Sequence, residues 1–529
     1  MTYQQARDAE NLSHLDGSIT GFISRYSANL STDNRKTIIL FPGGLASQLL
    51  RATKPQQNGP PYSYNMAWLD CSDILGSSAT QLQMQDDIDL EEQIVIPDGP
   101  VEFPLPPPYD GFIGWCNQKQ IDYLIFGWDW RRDLSLNPCF FLDQFMPLFE
   151  QRVQGLTPDP LQSLYLVGHS EGGMLLKLIM NESKNKYVQL LKCAVTVATP
   201  FYGYGGQLPR YFIGDPDIDA LNGNNQIVTR LISSLAGGYS LLFLDQATFE
   251  RDQATLTQDP YYPAEKQYPV LDAITGVPAD PYNPQTNGNL VRYPQYCGFD
   301  RQMLSAGKAV YDQVAALLDL SVIDKFFNIR GVTTDQDGAP INETVINQTW
   351  GWINPNFDPN TGTNPITDYL GPGDGTLPAW STRFAQTPDA NVHDVPGDKI
   401  DHMSMMSNCE VLSRLETVIG VARMPETPSD SGQPRLASRR ELNRFLAGVA
   451  RQRESVKHLP LAEQERELRA YVQRDTSLEK QRQLVARAFA DALKSPSQKL
   501  GTAKRPPSRE GATMTSKRRR ASRKTSRRW

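Results

Sequence analysis

Residues 161–180 read LQSLYLVGHSEGGMLLKLIM, and the order of features within them decides the fold. Residues 164–167 are an apolar run of strand length, Gly168-His169-Ser170-Glu171-Gly172 fits G-x-S-x-G, and residues 174–180 continue as apolar helix. Strand, sharp turn and helix in that order predict a nucleophile elbow. The strand delivers Ser170 to a strained turn, the flanking glycines let backbones approach closely, and the helix N-terminus lies beneath the reacting oxygen.

A serine hydroxyl attacks only with a base beside it, and the chain has five histidines. His14 lies in a polar N-terminal stretch, His169 inside the elbow, and His458 among C-terminal helices. His393 sits within the alternating run ANVHDVPG (390–397), a strand position suited to a packed or edge side chain. His402 follows in GDKIDHMSMM and opens the next helical stretch, the loop position expected of the base. The acid belongs between serine and histidine, after a strand. Residues 326–334 (FFNIRGVTT) predict that strand. A long insertion then leads to Gly371-Pro372-Gly373-Asp374-Gly375-Thr376, where Asp374 is preferred over Asp368, Asp398 and Asp401. An early strand, TIILF (37–41), runs into Pro42-Gly43-Gly44-Leu45, so the amides of Leu45 and Glu171 are the expected oxyanion donors. The Glu171 carboxylate would oppose a developing oxyanion unless its side chain points away.

The 529 residues, 39% apolar and 21% charged, suffice for one large α/β domain or several smaller ones. No apolar run reaches the ~20 residues needed to span a bilayer, and MTYQQARDAENL has no signal-peptide character, which predicts a cytoplasmic or peripheral membrane protein. The six cysteines form no CxxC pair and are expected to be mostly reduced core residues, with one or two loop disulfides as the alternative.

The formal charge of −6 conceals an uneven distribution. Residues 499–529 carry +11 and residues 429–498 carry +5, which leaves −22 for residues 1–428. Residues 424–435 (MPETPSDSGQPR) read as a linker. Capping boxes at Ser438–Glu441 and Thr476–Glu479, with a further helical stretch after Pro460, predict two or three amphipathic helices over 437–494. The tail 499–529 lacks the apolar content to fold and is expected to be disordered. Its charge suits an anionic membrane surface or, less well, nucleic acid; a solubilising tail is the plain alternative.

Eight segments in order carry a more specific signal. ILFPGGLASQL (39–49), AWLD (67–70), GWDWRRD (127–133), GHSEGG (168–173), VATPFYG (197–203), RLISSLAGGYSLLF (230–243), GPGDGTLPAWS (371–381) and DHMSMMSN (401–408) together resemble the lecithin:cholesterol acyltransferase family of α/β-hydrolases, particularly its bacterial members. The resemblance covers about residues 37–420 and implies an α/β-hydrolase fold with Ser170 as nucleophile, Asp374 as acid and His402 as base. It further implies Leu45 and Glu171 as oxyanion donors and a cap or lid over about 203–320. Gly43, Gly44, His169 and Asp129-Trp130-Arg131 would support the site, the last three equally well in a purely structural role. The chain departs from the family at Glu171, where an apolar residue or Gln is commoner, and in its appended helices and tail. The domains expected are therefore 1–428, catalytic; 429–498, helical; and 499–529, the tail.

The activity implied is a serine-dependent acyl-ester hydrolase of lipase, esterase or phospholipase type on lipid-like esters. The alternatives are an O-acyltransferase with an alcohol or sterol acceptor and an inactive hydrolase-fold binding protein. No cofactor and no metal is expected. Asp215–Asp219 begins like an EF-hand loop without its sixth-position glycine, and Asp358–Gly362 is a turn. The Asn342 sequon matters only in a secretory compartment.

Overall fold

The computed structural model describes residues 3–28, 35–53, 63–68, 93–100, 108–207, 235–272, 275–283, 301–350, 366–398, 400–421 and 438–459, with scattered positions between 463 and 487. TIILF forms strand β1 (Thr37–Phe41), buried along its whole length as a strand covered on both faces must be. It belongs to a six-stranded sheet with Asp122–Ile125 (β2), Leu164–His169 (β3), Cys193–Val197 (β4), Phe326–Thr333 (β5) and Val392–Gly397 (β6). The spatial order is β6-β5-β4-β3-β1-β2, and every pairing is parallel. The chain leaves β1 for β2 on one side and returns to β3 on the other. Ligand sites open at such reversals, outside the carboxyl ends of the strands. Phe41 lies opposite Gly168, so the turns after β1 and β3 leave the sheet side by side. The sheet, its covering helices and the strand–turn–helix at Ser170 make this an α/β-hydrolase-type fold.

The N-terminal stretch read as merely polar is helix α1 (Tyr3–Ala28). Leu15, Ile19, Phe22 and Tyr26 recur at helical spacing and are buried, while His14 bonds Asp98 Oδ1 at 2.6 Å. Helix α2 (Glu171–Asn181) buries its first ten residues, as its apolar run foretold. Helix α3 (Cys409–Ile419) stops at Gly420, whose φ of 66° suits a glycine C-cap. Helix α4 (Arg439–Val456) opens with the expected capping box: the Ser438 hydroxyl accepts from the Glu441 amide while the Glu441 carboxylate accepts from the Ser438 amide.

The long insertion after β5 forms a β-hairpin, Thr344–Trp350 with Ile366–Gly371, joined by Val270–Asp272 into a small sheet, and Asp374 follows it as expected. One expectation changes. Cys116 and Cys193 are buried and free as expected, but Cys139 and Cys409, also free, are exposed. Within the stretch expected to form a cap, Gln246–Leu256 and Arg301–Ala315 are helices. Residues 208–234, the two calcium-like turns, the Thr476 capping box and the tail 499–529 lie outside the described residues, as do Cys71 and Cys297. Among the described residues no helix is long and apolar enough to cross a membrane, and no cluster of three His, Cys, Asp or Glu could hold a metal ion.

Candidate active site

Ser170 sits between β3 and α2 at φ 56°, ψ −129°, a conformation that disfavours any side chain and is kept because both flanking elements are locked in the core. Its amide donates to the Val197 carbonyl at 2.9 Å. The glycines of the motif are dictated by contact: a Cβ on Gly168 would lie 2.6 Å from the Gly172 carbonyl, and one on Gly172 would lie 2.3 Å from the carbonyls of Phe41 and Pro42. Helix, strand and the turn after β1 are thus pressed together at backbone distance.

His402 opens a short 3-10 turn, His402–Ser407, and its Nε2 accepts from the Ser170 hydroxyl at 2.9 Å. Its Nδ1 donates to Asp374 Oδ2 at 2.7 Å, which fixes the tautomer. Asp374 is almost fully buried; its other oxygen accepts from the amides of Thr376 (3.0 Å) and Leu377 (2.7 Å). The backbone repeats the pairing, since the His402 amide donates to the Asp374 carbonyl at 3.0 Å. The acid turn is tied to the sheet where the Thr333 amide donates to the Gly373 carbonyl at 2.8 Å. Two of the three rivals have other duties: Asp368 accepts from Gln348, and Asp401 caps the turn that His402 begins. His393 lies on edge strand β6, half-buried, with Nε2 unbonded.

Leu45 holds φ 64° beside Ser170 on the cleft wall. A Cβ on Gly43 would come within 2.9 Å of Ser170 Cβ, so this turn accepts no side chain there. The Gly43 amide is already committed, donating to the Tyr109 hydroxyl at 2.7 Å. Tyr109 donates in turn to His169 Nδ1 at 3.0 Å, and His169 Nε2 donates to the His402 carbonyl at 3.1 Å. This chain joins the oxyanion turn to the turn bearing His402. Burial, then repulsion from His402, pushes His169 well below the usual imidazole range, so its ring is neutral. Nothing in the sequence near Tyr109 pointed to this role.

Asp129 and Arg131 do not reach the cleft. Burial would raise the Asp129 carboxyl, but the fork of Arg131 at 2.8 Å, with Arg7 and Arg132 nearby, holds it down at about 2. That closed cluster braces the loop whose indoles hold the turn after β1 and the strand that follows it: Trp128 Nε1 donates to the Pro42 carbonyl at 2.8 Å and Trp130 Nε1 to the carbonyl of Ser47, where the strand Ser47–Thr53 begins, at 3.1 Å. Trp128 is a second residue missed from sequence. Trp130, Leu45, Pro200, Leu235, Leu241 and Leu377 give a largely apolar cleft of about 670 Å³, part of it open to solvent, with Ser170 and His402 on its wall.

Glu171 does not point away. Its side chain is buried, Oε1 has no hydrogen-bond partner among the described residues, and desolvation pushes the carboxyl up to about 8. Burial thus favours the neutral acid over the carboxylate at this position.

No protein-family model and no curated protein matches the chain. Among solved structures it is similar to a chain in "The crystal structure of Tle4-Tli4 complex", at 12% identity and a TM-score of 0.41, over 74% of this chain and 100% of that one. A likeness of that extent adds nothing to the reading of the site, which stands on the geometry above.

Proposed function

We propose that the chain is a serine-dependent acyl-ester enzyme acting on lipid-like esters, similar in kind to the lecithin:cholesterol acyltransferases. One observation carries the reading: a buried imidazole bridging Ser170 Oγ at 2.9 Å and Asp374 Oδ2 at 2.7 Å, with the serine on a strained elbow. Ser170 Oγ attacks the ester carbonyl carbon while His402 Nε2 takes its proton; Asp374 holds the ring and stabilises the imidazolium. The amides of Leu45 and Glu171 receive the oxyanion, and His402 returns the proton to the departing alcohol. Water, or an alcohol acceptor, then resolves the acyl-enzyme by the same steps in reverse. The apolar cleft supports an acyl chain as the group bound beside the serine.

Fluorophosphonate labelling tests the reading, alongside hydrolysis of p-nitrophenyl esters from acetate to palmitate. Wild type is expected to label and Ser170→Ala not to; an unlabelled wild type, with detergent or vesicles present, rejects the mechanism. Products formed with and without an added long-chain alcohol or sterol separate hydrolase from transferase. The +11 charge of residues 499–529 supports contact with an anionic membrane. Salt-sensitive binding to anionic vesicles should vanish when the tail is deleted, and unchanged binding rejects it.

A further inference from the structure

The side chain that follows the nucleophile is wedged between two glycines. Glu171 Oε2 takes the space that a Cβ on Gly44 would need, 2.0 Å away, and Oε1 would lie 3.2 Å from a Cβ on Gly237. Glu171 is 4% exposed, lines the cleft with Ser170 and His402, and its Oε1 finds no partner among the described residues. A buried carboxyl with no cation bonded to it stays neutral, and a neutral acid has one O–H to donate. Oε1 is sealed in the protein, so the O–H that a bound ester can meet is the one on Oε2, which lies against Gly44 where both residues line the cleft.

We propose that the Glu171 side chain, as the neutral acid, donates a hydrogen bond to the oxygen of the bound ester on the oxyanion side of the cleft, a third donor beside the amides of Leu45 and Glu171. The proposal rests on the acyl-transfer reading. Such a donor strengthens as the carbonyl oxygen gains charge, whereas an ionised carboxylate in the same place repels it. Activity therefore follows the Glu171 proton on the alkaline side.

The other charged groups around this corner are accounted for. Asp129, Arg131 and Arg132 form the closed cluster behind the loop that carries Trp130. His169 is held neutral, and Asp374 is hydrogen-bonded to His402. Further along α2, the Lys177 amine is tied to Asn181 and the Ala316 carbonyl. With the Glu171 carboxyl at about 8, its neutral fraction falls about tenfold from pH 7 to pH 9.

The test is kcat/KM for a p-nitrophenyl ester across pH 6–10 in wild type, Glu171→Gln and Glu171→Leu, each checked by fluorophosphonate labelling. Wild type is expected to lose about tenfold between pH 7 and pH 9, and Glu171→Gln, which keeps a donor but cannot ionise, to show a ratio near one. Glu171→Leu should fall ~10–100-fold below Glu171→Gln at pH 7. An alkaline limb unchanged in Glu171→Gln, or a Leu variant as active as the Gln variant, overturns the donor role alone. An unlabelled wild type overturns the acyl-transfer reading and the donor role with it.

Thermal melting reads the proton independently of activity. The folded state keeps a proton that the unfolded chain releases above its ordinary value of 4.5, so this stabilisation is present at low pH and lost as pH rises to about 8. The Tm of Glu171→Gln should gain on wild type across that window and then level. A constant gap overturns the neutral acid.

Discussion

Two flanks of Ser170 each carry a buried histidine, their ring centroids 5.1 Å apart, and their partners give them opposite characters. On one flank His402 donates to a carboxylate, leaving Nε2 to accept from the serine. On the other, His169 is held by a phenol and a backbone carbonyl, neither of which carries a charge to offset the cost of burying an imidazolium. Burial is common to both. What separates a base from a strut is the charge of the group at the far nitrogen.

Removing the base flank should have the largest effect. Ser170→Ala or His402→Ala is expected to cost about 10⁶-fold in kcat, because the triad acts as a unit. A loss of only a few-fold would break the comparison, since neither flank would then serve catalysis. Asp374→Asn keeps the shape but favours the wrong tautomer, and about 10⁴-fold is expected in the same assay.

The strut flank should respond differently. Tyr109→Phe deprives the Gly43 amide and His169 Nδ1 of partners, at ~1–3 kcal/mol of stability for each buried group left unpaired. Its kcat should fall about tenfold through displacement of the oxyanion turn, with the acid limb of the pH profile unmoved. A shifted acid limb would show that the two flanks are one unit. The smallest effect concerns His169 itself. Its folded-state value is depressed below 6.5, so below that pH the unfolded chain takes up a proton that the fold refuses, and stability falls with acidity. Urea melts should show that slope reduced in His169→Gln, by at most about 1.4 kcal/mol per pH unit.

The elbow was legible because its signals are local. Strand β1, the glycines of the motif and the helix after Ser170 follow from adjacent residues whose spacing permits little else. Helix α1 was also legible in retrospect, since Leu15, Ile19, Phe22 and Tyr26 carry the period, though polar residues between them obscured it. Tyr109 and Trp128 were hidden because their roles depend on what lies opposite: a hydroxyl under the Gly43 amide and an indole on the Pro42 carbonyl. The exposed Cys139 and Cys409 show the same limit, as burial is a property of the packed chain and not of the residue.

The sequence by itself determined the main elements around the elbow, the position of Ser170 on it and the short set of residues from which its partners could come, because backbone geometry and hydrophobic period act over a few residues. Tertiary structure alone decided which carboxylate meets which imidazole and which histidine stays neutral. It also decided that Glu171 faces the oxyanion turn. These outcomes depend on distances of about 3 Å between segments far apart in the chain, where desolvation and charge act only once the chain has folded.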